Sequence, residues 1–277
     1  MTFELLYRMR KINVSSFLPF ASAVTYLIII QWVFSNPRIL NNPLLTPPLS
    51  IYINGTSIAL VIITLLTSLL ITKRGQLASW YNFSLFPLAI IFSVVPYLVI
   101  SDSQSLLQLV VAWGSAILIY LYWRYVFFYL YTPSRYTAFS LENISFYGNF
   151  FVIFLLGAGV LGLKLFLGLG GLMVTGLVAV ILALVIYQSF WVSKYSFKES
   201  WPVYVGSWLV LLETFFALTL LPNDYQLLAF VWSTIYYLVV TIVSDYLGHQ
   251  LNSFKMKAYL IIAGVSWLLL FATAQWI

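Results

Sequence analysis

Nine stretches of the chain run apolar for about the 20 residues that a helix needs to cross a bilayer, and little sequence lies outside them. They cover residues 17–35, 51–72, 84–101, 104–130, 146–167, 171–193, 202–221, 225–244 and 257–276. Each is continuous rather than alternating, and each is bounded by charge, Pro or Gly, which argues against a β-barrel. A helix then remains the way to satisfy the backbone away from water. The expected fold class is all-α: a polytopic membrane helical bundle of about nine transmembrane helices, with residues 1–277 as a single integral-membrane domain and the lipid bilayer as obligatory partner.

Composition agrees. Charged residues make up 7% of the 277 and hydrophobic ones 62%, whereas soluble domains carry about 25% charged residues. So few charges cannot coat a water-facing surface, which excludes a soluble enzyme, a disordered chain and a free nucleic-acid-binding domain. The net charge of +6 therefore does not imply a nucleic-acid partner. Without cysteine there are no disulfides, thiolate zinc sites, iron–sulfur clusters or cysteine nucleophiles. No cofactor is expected.

The cations set an orientation. Alternating nine spans puts Arg8, Arg10, Lys11, Lys73, Arg74, Arg124, Arg135, Lys194, Lys198, Lys255 and Lys257 on one side, leaving Arg38 and Lys164 on the other. Cytoplasmic loops collect Lys and Arg, so the N-terminus is expected in the cytoplasm and the C-terminus outside, as in a multi-pass protein of the cell membrane. The first span reads as an anchor, because Ala21-Ser22-Ala23 lies near the start of its apolar run, where a signal-peptide cleavage site does not fall. The four prolines of 35–50 argue against a regular helix there. Trp80, Trp123, Trp191, Trp201 and Trp276 fall at span ends, where a lipid-belt role is expected.

Two span starts resemble each other. Asp102-Ser103-Gln104 leads to Leu106-Leu107 and Trp113; Asp224-Tyr225-Gln226 leads to Leu227-Leu228 and Trp232. They suggest a weak parallel repeat of 1–130 on 146–244, but gaps are needed, and helix N-caps account for both aspartates.

Within the spans one residue stands out chemically. Counted from Pro202, Glu213 lies about 16 Å into its helix, near the bilayer midplane, where an ionised carboxylate costs at least ~2.5–3.5 kcal/mol. Protonation or a buried polar partner relieves that cost. The hydroxyls at matching depth are Thr234, Tyr237, Ser115 and Ser266, which with Glu213 form the candidate intramembrane polar site. Arg124 and Lys164, nearer span ends, can snorkel. Asp245 and His249, four apart, would share a helical face and supply two metal ligands, but nothing in the sequence completes the set, and a solvated pair is the simpler account. Gly157, Gly159 and Gly162 suit close helix approach, and Pro96 is a candidate hinge.

No catalytic motif is recognisable, and clustered carboxylates or histidines at an aqueous face are missing, so an enzyme fits worst. The sparse polar content best fits a non-catalytic membrane subunit, scaffold or lipid-interacting protein with membrane-protein partners. The alternative is a small-solute transporter or permease, proton-linked through Glu213.

Overall fold

A computed structural model describes residues 3–34, 47–72, 80–101, 106–221 and 224–273. The described residues form nine α-helices and one 3-10 turn: α1 (Phe3–Phe34), α2 (Pro47–Thr72), α3 (Trp80–Ile100), α4 (Leu106–Tyr131), the turn Pro133–Arg135, α5 (Ser140–Leu167), α6 (Gly171–Val192), α7 (Phe197–Leu218), α8 (Tyr225–Leu247) and α9 (Ser253–Thr273). The fold is an all-α helical bundle. Seven of these helices, α2 to α8, are long and apolar enough to cross a membrane.

The chain divides into two compact units, Met1–Ile91 with Ser101–Ser145, and Phe92–Ile100 with Phe146–Ile277. In the first, α1 lies against both α2 and α4. Tyr26, Ile30, Phe86, Tyr122 and Trp123 are buried there, with the Phe86 and Tyr122 rings 4.7 Å apart. Lipid tails are as apolar as leucine, so polar contacts add specificity to helix packing in a membrane. The Ser68 hydroxyl donates to the Trp80 carbonyl at 2.6 Å, and Tyr131 donates to the Ile71 carbonyl. After the 3-10 turn, the Tyr136 hydroxyl donates to Glu142 at 3.0 Å; its own burial above all, with the Glu142 carboxylate adding to it, pushes that hydroxyl up to about 12.

Two sequence expectations change in this unit. Helix α2 begins at Pro47, so the non-helical stretch expected over 35–50 ends earlier. Pro47 and Pro48 occupy the first turn, where a missing N–H breaks no helical bond; residues 35–46 lie outside the described residues. Trp123 does not face outward but is fully buried, lying two turns inside the end of α4 at Tyr131 with its ring 5.6 Å from that of Tyr122. Trp201 is 55% exposed, and Trp276 lies outside the described residues.

In the second unit α7 lies between α6 and α8, and α9 follows against α8. Indole and phenol groups stitch these helices through spare carbonyl lone pairs: Trp208 Nε1 to Ala179 O at 2.8 Å, Tyr204 to Ala183 O at 2.7 Å, and Trp232 Nε1 to Leu211 O at 2.9 Å. The α5 glycines do allow close approach. A Cβ on Gly157 would meet Trp232 at 3.0 Å, and one on Gly159 would meet the Tyr97 amide nitrogen at 2.8 Å and Pro96 Cβ at 3.0 Å. Gly168, with φ +64°, turns the chain between α5 and α6.

Candidate functional site

Glu213 lies nearer one end of its helix than its distance from Pro202 implies. Helix α7 ends at Leu218, placing Glu213 about 7 Å from that end at 1.5 Å per residue. Its side chain is exposed. The reason is the helical period: Ser207, Leu211, Phe215 and Leu218 are the buried face, and Glu213 falls between Leu211 and Phe215 on the opposite side. It shares that exposed face with Gly206, Val210 and Ala217. Among the described residues it has no hydrogen bond and no ion pair.

Of the residues expected to surround it, Thr234 and Ser115 have hydroxyls bonded elsewhere, and Tyr237 packs through its ring. Thr234 donates to the Phe230 carbonyl of its own helix at 2.9 Å. The Tyr237 ring packs on Phe146, with centroids 5.2 Å apart, and on Phe150. Ser115, in the first unit, donates to the Ala112 carbonyl at 2.9 Å and accepts from the Tyr26 hydroxyl at 3.1 Å. The Ser266 side chain lies outside the described residues. Hydroxyls in apolar helices bond readily to the preceding turn, a self-contained outcome that depth matching does not reveal.

A different polar cluster lies within the second unit. Asn149 on α5 donates its amide to Gln188 Oε1 at 2.7 Å and to Ser189 Oγ at 2.8 Å, both on α6. Ser189 Oγ meets the Tyr236 hydroxyl of α8 at 2.9 Å. All four side chains are buried, and among the described residues Asn149 Oδ1 has no hydrogen-bond partner. Asn149 and Gln188 are amide side chains inside apolar spans, a visible signal; charge drew attention to Glu213 instead.

The Asp245–His249 spacing does not yield a shared helical face. Helix α8 ends at Leu247 with Gly248 as its C-cap, so His249 leaves the helix in the left-handed region, φ 53°, and is exposed. Asp245 instead pairs with Lys255 at 3.4 Å and accepts from the Tyr259 hydroxyl at 3.1 Å, pinning the start of α9 to the end of α8. Among the described residues no group of three or more His, Cys, Asp or Glu could hold a metal.

Two further charges, Asp224 and Lys164, serve helix ends. Asp224 caps α8 by accepting from the Gln226 amide at 2.7 Å, while Asp102 lies outside the described residues. Lys164 donates to the Thr219 carbonyl at the C-terminus of α7, where a cation suits the helix dipole. Arg124 donates to the Tyr120 hydroxyl at 3.2 Å.

Comparison with protein-family models, curated proteins and solved structures finds no match. The chain is a multi-pass integral protein of the cell membrane. It has no cysteine and, among the described residues, no metal-binding cluster.

Proposed function

We propose that this chain is a non-catalytic membrane subunit with nine spans, its N-terminus in the cytoplasm and its C-terminus outside, whose exposed α7 face docks a membrane-spanning partner. The observation that carries this is the exposed Glu213 carboxyl, unbonded among the described residues, on a face that also bears Gly206 and Ala217. A carboxyl facing lipid is costly, and small residues beside it let another backbone come close. A partner helix presenting a cation or a hydrogen-bond donor at that level meets both conditions.

The same unbonded carboxyl supports the alternative, a proton-linked permease, and one comparison separates the two. Under the subunit reading, gently extracted wild type migrates as a larger assembly on native gels and Glu213→Leu migrates as the free chain. Purified wild type alone in proteoliposomes then shows no proton flux above empty vesicles. Flux from the chain alone that Glu213→Gln abolishes establishes the permease and overturns the subunit reading.

A further inference from the structure

In the first unit, α1 and α4 do not close completely. A cavity of about 280 Å³ opens between them, with Ala23 and Ala116 at its lining alongside Phe20, Trp113, Ile117 and Tyr120. The two alanines are buried, whereas Phe20, Trp113 and Ile117 are exposed, so small side chains make the floor and large ones the walls. The wall is built rather than loose: Phe20 meets Tyr120 edge to face, with centroids 6.3 Å apart. Its lining is apolar, so its occupant is apolar where it lies in the groove.

The groove has a polar end. One helical turn beyond Tyr120 stands Arg124, with its guanidinium carbon 5.8 Å from the Tyr120 ring centroid and 5.4 Å from that of Phe128. One of its N–H groups goes to the Tyr120 hydroxyl. Among the described residues no carboxylate pairs with it and its one hydrogen bond is the one to Tyr120; the planar donor fork of a guanidinium is matched to phosphate oxygens. Arg135, exposed in the turn that follows α4, adds a second cation beyond the same helix end. From Arg124 to Trp113 the helix rises about 16 Å, close to the ~15 Å depth of one leaflet's share of the hydrocarbon core.

We propose that this groove is a binding site for one anionic phospholipid, an acyl chain lying over Ala23 and Ala116 and the phosphate held by Arg124. Charge complementarity selects the occupant. A transmembrane peptide would fill the groove but leave the guanidinium without an anion, whereas a phospholipid supplies chain and phosphate at the spacing the helix provides. The net negative headgroup is favoured because two cations mark this end of α4. This site involves neither Glu213 nor α7, so it stands or falls independently of the subunit reading.

The test uses the full chain in nanodiscs of equal phosphatidylglycerol and phosphatidylcholine, released gently and weighed by native mass spectrometry. Wild type should retain one phosphatidylglycerol, preferred about fivefold over phosphatidylcholine, as one surface cation contributes. Arg124→Gln should lose the preference, Ala116→Phe should lose the bound lipid, and Lys198→Gln, an exposed cation on α7, should change neither. Equal retention of the two lipids by wild type, or undiminished phosphatidylglycerol in both groove variants, overturns the proposal. A phosphatidylglycerol bearing a photoreactive acyl chain needs no substitution: labelling concentrated on α1 and α4 peptides supports the site, and labelling spread evenly over the helices overturns it.

Discussion

Of Gly157, Gly159 and Gly162, Gly159 makes the closest approach to a neighbouring backbone, and its neighbour cannot yield as a flexible side chain does. A Cβ there lies 2.8 Å from the Tyr97 nitrogen. Gly159→Ala should therefore cost about 1–3 kcal/mol, the usual range for overpacking, and lower the thermal midpoint of the detergent-solubilised protein. Gly176→Ala, where nothing lies within 4 Å, should leave it unchanged. An equal response of the two variants would contradict the packing account. The composition of α5 made its glycines legible as contact residues. It could not rank Gly159 above Gly157 and Gly162, because that depends on which helix lies opposite. Glu213 shows the same division. Its rarity in an apolar span is plain in the sequence, but its direction follows from which face of α7 is occupied by Leu211 and Phe215.

Helices α5, α6 and α8 are tied by the Asn149–Gln188–Ser189–Tyr236 cluster, so its loss should be felt at all three. Interhelical hydrogen bonds in membranes contribute about 0.6–1.7 kcal/mol each. Removing Asn149 breaks two such bonds and leaves buried groups on Gln188 and Ser189 to find other partners. Asn149→Ala should cost more than Tyr236→Phe, which removes only the phenol hydroxyl facing Ser189. Because both act through Ser189, the double variant should lose less than the two single losses added together. Simple additivity in a detergent unfolding titration would show that the cluster does not act as a unit. Element ends were more legible than these contacts. Asp224 is an N-cap by residue type and position, a local matter decided within one turn. His249 was misplaced by the same local rule, since a constant i to i+4 spacing assumes a helix that Gly248 in fact ends.

For the whole molecule, the absence of cysteine makes the proposed topology directly testable. Ser134→Cys, in the turn after α4, and Gly170→Cys, before α6, lie at opposite ends of α5. A membrane-impermeant maleimide applied to intact cells should label Gly170→Cys and reach Ser134→Cys only after permeabilisation. The reverse pattern would invert the orientation, and labelling of both from outside would remove α5 as a span. The sequence by itself determined the class and helical content: about 20 apolar residues in a row leave a lipid-embedded backbone few choices, so each of the nine stretches falls within or close to an observed helix. Tertiary structure alone decided which polar groups meet. Asn149 reaches Ser189 across two helices, Ser115 finds Tyr26 on α1, and Glu213 meets no described partner. Helix formation is a local response to the solvent. Pairing between helices depends on rotation and register, and an almost uniformly apolar surface encodes those only weakly, through a few small and polar residues.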